Sequence, residues 1–532
     1  MEASARATSI DPPTTRHANL ALTVVVVGVL ITAVDTTIVV LALPAIQRSL
    51  HIALGSVIWV IIGYLLVITL LSTQVGRLGD MFGRVRMYEA GFVVFVIGSL
   101  TCALAWSELS LILFRMAQGV GGALIAANSG AVIADSFPRE QRGRAYGFNG
   151  IGWNTGAVLG VVLGGLIVTY ASWRWVFWIN LPNGTGAVIV ARRVLVDRGE
   201  RQHRRLDIPG MVTLGLGLFG LLWAMVKLTS EPFDGAILGY LLGGAAMLAC
   251  FAAIERWQPS PMVDLRLFRV PTMTPSLLAA MFQSLASFAV LFLLLMYLQG
   301  VRHLTPIHAS LLLVPGYVVG GVVGPYGGRL ADRIGAVIPA TAGLTIQVAV
   351  LVAYAQLGLH TPLWVLVVIY VFGAVGSGFF FPANSSAVMK AAPGAEFGVA
   401  SGLLRTFANV GMVFSFAVAI LIASQTISKH EAFAIFVGTT TLPSASAAAF
   451  TSGIHAAFYA STSLMVVAAI LSATRVRSQP LPWRRIRGLP GARPGDTPDA
   501  PDSSPADHAR HAHASDQPPT RPDRAAAPVR DG

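Results

Sequence analysis

The sequence predicts an all-α integral membrane protein of fourteen transmembrane helices, built as two six-helix bundles with two further helices inserted between them. The 532 residues are 54% hydrophobic and only 12% charged, whereas an ordinary soluble protein has about 25% charged residues. Fourteen segments are apolar over about 20 residues, the length that crosses a bilayer. A glycine- and arginine-rich motif in the first half returns in the second, which indicates an internal repeat.

The apolar segments divide the chain into five regions. We predict a cytoplasmic N-terminal tail at 1–19, an N-terminal six-helix bundle at 20–196, two linker helices with flanking loops at 197–272, a C-terminal six-helix bundle at 273–473 and a disordered cytoplasmic tail at 474–532. The last region is rich in Pro, Ala, Asp and Arg, a composition that does not bury a core. The predicted helices are 20–43, 57–75, 88–106, 110–134, 145–170, 175–196, 208–229, 235–255, 273–299, 307–327, 337–358, 363–389, 398–423 and 451–473.

The basic residues lie in the tails and in alternate loops between these helices. The loops that hold Arg84, Arg142 and Arg193 are much more basic than those that hold Arg174 and Arg302. The positive-inside rule therefore predicts a multi-pass protein of the cell membrane with both termini in the cytoplasm. The net charge of +12 has the same explanation, and we expect no nucleic-acid partner.

The chemistry-bearing residues exclude several classes of protein. Cys102 and Cys250 both lie in apolar segments, so we expect neither a disulfide framework nor a metal site. The sequence has no Walker motif for ATP and no nucleophile triad. We therefore predict that the protein is not an enzyme and that it holds no cofactor.

The repeated motif forms a short turn between the second and third apolar segments. Its acid lies at a helix end, where it can meet a helix N-terminus and a nearby arginine. Residues 328–335 repeat five letters of the motif, including its acid, and 398–402 repeat the Gly-x-Ala-x-Gly pattern of 143–147. We predict that Gly76, Arg77, Asp80, Gly83, Arg84 and Asp332 control exchange between conformational states rather than substrate binding.

The motif G-R-L-x-D-x-x-G-R at 76–84, with its weaker second copy, resembles the signature of the major facilitator superfamily. The resemblance extends over about 20–473, and the two inserted helices resemble the fourteen-span drug/proton antiporter branch of the EmrB/QacA type. It implies the major facilitator fold, in which contacts of the repeated motif form a conformational latch. It also implies export of amphipathic organic compounds or drugs, and hence antibiotic resistance. It also implies a proton gradient as the energy source.

Asp35 and Arg115 are the candidate proton-coupling residues. Asp35 lies inside the first predicted helix, where a carboxylate is costly and is a functional hypothesis by default. Arg115 lies in an R-x-x-Q-G run on the fourth helix, and the resemblance implies a role in proton transfer. Both lie about 10–13 Å below the outer surface, which permits a charge pair or a shared cavity. The alternatives are a structural acid and an arginine that binds backbone carbonyls.

The fifth predicted helix has a glycine face for close helix packing at Gly152, Gly156, Gly160 and Gly164. It resembles the antiporter signature of the superfamily, with Val161 where that pattern has proline. The Trp173–Pro182 run also resembles a signature of the fourteen-span family, but its aromatic residues indicate an interfacial belt. The candidate residues of a substrate cavity in the second half are Gln283, Tyr297, Asn384, Arg405 and Asn409.

These observations together predict a secondary active transporter that exports amphipathic organic compounds by proton antiport. One alternative is an exporter dedicated to an endogenous metabolite or self-made antibiotic, and the other is a non-transporting membrane sensor or scaffold. Asp35, Arg115 and both copies of the latch motif argue against the scaffold. The expected partners are a small amphipathic substrate, protons and the lipid bilayer, and we expect the chain to act as a monomer.

Overall fold

The computed structural model is helical in each regular segment, and no strand occurs among the residues it describes. The described residues are 15–52, 57, 59–197, 207–230, 232–259, 261, 263, 265–393, 396–423 and 444–475. Most of the predicted N-terminal tail and the predicted disordered tail from 476 onward lie outside these ranges.

The described helices follow the predicted segments in order. They are α1 (Thr15–Leu50), α2 (Trp59–Phe82), α3 (Arg84–Ala103), α4 (Glu108–Ser136), α5 (Arg142–Tyr170), α6 (Trp175–Trp178), α7 (Asn180–Val194), α8 (Ile208–Ser230), α9 (Gly235–Trp257), α10 (Met273–Met296), α11 (Pro306–Leu311), α12 (Val314–Ile334), α13 (Val337–Tyr354), α14 (Leu363–Ala391), α15 (Phe397–Ala423) and α16 (Ser444–Ala473). A π-helix, Tyr297–Val301, continues α10.

Twelve helices within the described ranges are long and apolar enough to cross a membrane. Two predicted segments are helical but are not among the twelve. Segment 175–196 is divided at Ile179 into α6 and the 15-residue α7, and segment 273–299 is α10 with its π-helix. The all-α membrane fold is confirmed, and the count of fourteen spans stays a prediction.

The first helix is longer than predicted at both ends. The sequence predicts it at 20–43, but α1 begins at Thr15 and continues through Pro44 to Leu50. The predicted tail at 1–19 therefore ends earlier. Proline lacks an N–H group and usually ends a helix. Here the turn around it is held by Leu43 and Ile46, whose side chains are fully buried.

The predicted glycine face of α5 lies against α1. A Cβ atom on Gly156 would stand only 2.5 Å from the carbonyl oxygen of Leu30. Gly152 faces the preceding turn of α1, and Gly160 and Gly164 face the turns that follow. The two backbones approach this closely only because the four positions lack side chains. This contact fixes the segment of α1 that carries Asp35.

The inserted helices α8 and α9 pack on each other, and α8 lies beside one helix of each bundle, α2 and α15. The Gln74 side-chain amide of α2 donates to the carbonyl oxygen of Met211 on α8, 2.8 Å away. The Trp59 ring of α2 lies 4.9 Å from the Trp223 ring of α8. The pair is thus attached to the outside of the two bundles.

The two bundles meet along two helix pairs, α2 with α15 and α5 with α12. Gly76 of α2 contacts the backbone of Gly398, and Gly143 of α5 contacts that of Gly328. The absence of a Cβ atom at these positions lets the backbones touch. We call this end of the molecule, which carries Asp80, the latch end. The bundles are closed against each other there.

Candidate functional site

Asp35 of α1 is fully buried and accepts hydrogen bonds from three side chains of the N-terminal bundle. Arg115 Nη1 donates to Asp35 Oδ2 at 2.7 Å. The amide groups of Gln118 and Asn180 each donate to Asp35 Oδ1 at 2.9 Å. The two carboxylate oxygens thus accept from donors on three different side chains. The structure therefore brings the two predicted coupling residues together as a hydrogen-bonded ion pair.

Arg115 of α4 is held on several sides. Its Nε donates to the carbonyl oxygen of Val60 at 3.0 Å, and Nη1 also donates to Gln118 Oε1. Its guanidinium lies 4.2 Å from the centre of the Tyr64 ring, a cation–π contact. Removing one member of a buried ion pair generally costs about 3–5 kcal/mol, because the other charge stays buried. The arrangement thus depends on both charges.

A ring of neutral polar groups completes the site. The amide of Gln118 donates to Ser99 Oγ at 2.7 Å, and the amide of Asn180 donates to the same oxygen at 3.3 Å. An amide nitrogen carries two hydrogens, so each amide uses one for Asp35 and one for Ser99. Both amides thereby present hydrogen, and not oxygen, to the carboxylate. We call the five residues Asp35, Ser99, Arg115, Gln118 and Asn180 the buried charge site.

Sequence reasoning missed Asn180, because the aromatic run around it indicates an interfacial belt. The structure places Asn180 as the first residue of α7, next to Ile179, at which α6 and α7 are divided. Its side chain lies inside the bundle, where Asn180 is 1% exposed. A polar residue beside Pro182, at the end of an apolar run, is the sequence signal that marks it.

The first copy of the latch motif joins the two bundles through Asp80 of α2. Its carboxylate accepts from the backbone N–H groups of Gly398 and Val399, both at 2.9 Å, at the start of α15. Arg84 donates to the same carboxylate at 2.8 Å and also pairs with Asp135 of α4. An acid at a helix N-terminus satisfies free N–H groups and the helix dipole.

The second copy makes the corresponding contact with the bundles exchanged. Asp332 of α12 accepts from the backbone N–H groups of Gly143 and Arg144, at 3.0 and 2.8 Å, at the start of α5. Lys390 of α14 lies 3.3 Å from Asp332, in the role that Arg84 has in the first copy. The lysine side chain is 31% exposed, whereas that of Arg84 is 2% exposed.

The remaining motif residues shape the turn. Gly83 has φ 110°, a left-handed conformation that favours glycine, and a Cβ atom there would overlap the Asp197 carboxylate. Gly76 contacts Gly398, and Arg77 is buried. All six predicted latch residues thus lie at the latch end.

The family model for the Major Facilitator Superfamily matches residues 25–416. The chain belongs to the major facilitator superfamily. Members of this superfamily are transporters, so the chain is a membrane transporter and not an enzyme.

Relatives in the superfamily are named as resistance and export proteins. The chain is 30% identical over 411 residues to the tetracenomycin C resistance and export protein of Streptomyces glaucescens. This match covers 76% of each chain. It is 30% identical over 395 residues to multidrug resistance protein Stp of Mycobacterium tuberculosis (strain CDC 1551 / Oshkosh), with 74% of this chain and 73% of the relative covered. The riboflavin transporter RibZ of Clostridioides difficile (strain 630) is 27% identical over 415 residues, 78% of this chain and 90% of RibZ.

A solved structure of the same superfamily shows the same fold. The proton:xylose symporter XylE bound to 6-bromo-6-deoxy-D-glucose matches with a TM-score of 0.62 at 14% identity, covering 86% of this chain and 95% of XylE. The major facilitator fold predicted from the repeated motif is therefore confirmed.

The predicted cavity residues of this major facilitator chain lie in different surroundings. Tyr297 is buried and donates to the carbonyl oxygen of Gly358, and Asn384 is buried and donates to that of Ser276. Both therefore tie segments of the C-terminal bundle together through these hydrogen bonds, and their assignment to a substrate cavity stays a prediction. Gln283 is also buried, within a cluster of side chains.

That cluster links α10 to α13, where the Gln283 amide donates to Gln347 Oε1 at 3.1 Å. Arg405 and Asn409 differ from the other three candidates, because they lie on α15, which contacts the N-terminal bundle. The structure thus divides the predicted cavity residues into three inside the C-terminal bundle and two on a helix of the bundle interface.

Proposed function

We propose that this transporter exports amphipathic organic compounds across the cell membrane, in exchange for protons that move inward. The observation that carries the proposal is the buried charge site, where an acid inside the membrane is paired with Arg115. Such a residue is costly in a bilayer and commonly marks a proton pathway. In this proposal the latch end and both termini face the cytoplasm. The chain acts as a monomer and uses no bound cofactor.

Protonation of Asp35 changes the net charge and the hydrogen bonds of the buried charge site. With Asp35 ionised, the pair is neutral and each surrounding donor has its acceptor. A proton on the carboxylate removes its charge and leaves Arg115 as an uncompensated buried cation. It also turns an acceptor oxygen into a donor that faces amide hydrogens. Both changes favour a different packing of the helices, so proton uptake biases the conformational equilibrium.

Opening and closing of the two latches complete the proposed transport cycle. In the latch-closed state, Asp80 and Asp332 hold the two bundles together at the cytoplasmic end. Their release lets the bundles rock apart around a central site, as parallel repeats allow. The compound enters from the cytoplasm in the open state and leaves on the other side, and the proton moves in the opposite direction.

The test is transport by the purified chain in proteoliposomes with an imposed pH gradient. The probes are tetracenomycin C, riboflavin, fluorescein and rhodamine 123. We expect Asp35→Asn to abolish uphill transport while some downhill flux remains, because the pathway persists without its coupling charge. Arg115→Lys should impair transport less, since it keeps the charge but loses the planar fork.

The matched control is Glu108→Gln, which neutralises a half-exposed acid in the first turn of α4. It should transport like the unmodified chain. Full gradient-driven accumulation by Asp35→Asn would contradict proton coupling at this residue and would point to another ion or to facilitated diffusion.

A second candidate is an exporter dedicated to one endogenous metabolite or self-made antibiotic. It is favoured by the relative from Streptomyces glaucescens, whose name ties resistance to export of a single compound, tetracenomycin C. The same panel of probes separates the candidates. Transport of several unrelated probes supports the broad exporter, and transport of one alone supports the dedicated one.

A further inference from the structure

Arg405 is an arginine inside a membrane helix that has no partner among the described residues. It lies on α15, about 12 Å along the axis from the first residue of that helix, Phe397. Its side chain is partly exposed, and no described residue forms an ion pair, a hydrogen bond or a ring contact with it. A charged side chain at this depth is costly unless something balances it.

The neighbours of Arg405 show which way it faces. Ser401 contacts Gly130 of α4, and Gly402 contacts Ser72 of α2. On a helix with 3.6 residues per turn, the direction of Arg405 lies between those of Ser401 and Gly402. The arginine is therefore turned toward the N-terminal bundle, at the interface between the two bundles.

The next residue is bonded across the same interface. Thr406 Oγ1 lies 2.8 Å from Thr73 Oγ1 of α2. This contact belongs to the closed latch end, so Arg405 lies beside the part of the interface that opens when the bundles separate there. A compound that enters from the cytoplasm meets this arginine early on its path.

Arg405 is too far from Asp35 for the Asp35 carboxylate to neutralise its positive charge. Arg115 lies about 22 Å along α4 from Gly130, while Arg405 lies about 6 Å along α15 from Ser401 in the same direction. The two arginines are thus separated by about 16 Å along the helices. Because Asp35 and Arg115 neutralise each other, Arg405 adds a positive charge that no described residue balances.

We propose that Arg405 binds an anionic group of the transported compound, so that the substrates of this protein are amphipathic organic acids. The inference rests on the proposed export function and names the substrate class of its pathway. A guanidinium binds carboxylate or phenolate oxygens through two parallel N–H donors. Away from bulk water such a contact is stronger than at the surface.

The experiment compares two dyes with the same xanthene ring system, the anion fluorescein and the cation rhodamine 123. Binding of each dye to the full-length purified chain is measured by fluorescence anisotropy, without any gradient. We expect Arg405→Gln to weaken fluorescein binding about tenfold or more, because a hydrogen bond to a charged group is lost. Rhodamine 123 binding should stay unchanged or become tighter.

Two further variants separate recognition from folding. Arg405→Lys should recover part of the fluorescein affinity, since it keeps the charge but loses the planar fork. Arg48→Gln removes an exposed arginine at the other end of the molecule and should change neither dye. Thermal unfolding of each variant shows whether the protein is folded.

The proposal is overturned if the unmodified chain does not bind fluorescein, or if Arg405→Gln weakens both dyes equally or neither. It fails separately from the export function. Gradient-driven transport of fluorescein that is unchanged in Arg405→Gln would leave the exporter intact and refute the anion site. Binding of fluorescein that depends on Arg405, without uphill transport, would do the reverse.

Discussion

At the scale of single residues, the buried charge site depends on neutral side chains as much as on its ion pair. Asn180 and Gln118 both direct amide hydrogens at the same oxygen of Asp35. Ser99 accepts the second hydrogen of each amide. The three neutral side chains and the ion pair therefore form one hydrogen-bonded network.

We predict that Asn180→Ala lowers uphill transport about tenfold or more while downhill flux changes less. A hydrogen bond to a charged group contributes about 1.5–3 kcal/mol, and Asp35 loses one such donor. The measurement is the ratio of uphill to downhill flux in proteoliposomes.

The matched control is Asn128→Ala, because Asn128 is equally buried but donates to the Leu124 carbonyl of its own helix. It should leave the flux ratio unchanged. Equal loss of uphill and downhill flux in Asn180→Ala would indicate a purely structural role.

At the scale of the helix, each latch is a helix N-terminus whose capping group comes from the opposite bundle. The first N–H groups of α15 and α5 have no partner within their own helices. Asp80 and Asp332 supply that partner from α2 and α12. Glycine at 398 and 143 lets each carboxylate reach the backbone. The bundles therefore separate only if both helix ends lose their caps.

We predict that Asp80→Asn slows turnover about tenfold or more with little change in substrate affinity, and that Asp332→Asn is milder. Asp80 belongs to a buried charge network with Arg84, whereas Asp332 pairs with the more exposed Lys390. Breaking a buried pair costs about 3–5 kcal/mol, and an exposed pair contributes about 0–1 kcal/mol. Initial transport rates at several concentrations of one probe give both quantities. A tenfold loss of affinity with normal turnover would refute the latch.

At the scale of the whole molecule, the two halves of the internal repeat bind each other through equivalent contacts. The first copy of the latch motif binds the glycine-rich start of α15, and the second copy binds the corresponding start of α5. Each half of the chain thus supplies one acid and one helix end. The two latches are related by the repeat, so the bundles can close symmetrically at this end.

We predict that a disulfide across the closed latch end stops transport reversibly. Thr73 and Thr406 are buried, with their hydroxyl oxygens 2.8 Å apart, so Thr73→Cys with Thr406→Cys brings two thiols together. The exposed Cys250 is first replaced by serine. Oxidation should abolish transport and reduction should restore it, whereas Thr73→Cys alone should not respond. Normal transport by the oxidised pair would show that this end need not open.

The sequence by itself determined the membrane class, the helical fold and the positions of the repeated motif. These follow from local properties: the length of apolar segments, the low charge and a motif repeated in both halves. Asp35 and Arg115 were also recognisable, because a charge inside an apolar helix is rare enough to be noticed. The glycine face of α5 followed from spacing alone.

Only the tertiary structure decided which groups these residues meet. Asn180 donates to Asp35, which lies 145 residues earlier on α1, and no sequence pattern indicates that contact. Tyr297 and Asn384 donate to the carbonyl oxygens of Gly358 and Ser276, which are distant in sequence. Hydrogen bonds and ion pairs are short-ranged, so partners separated by many residues are fixed by how the helices pack.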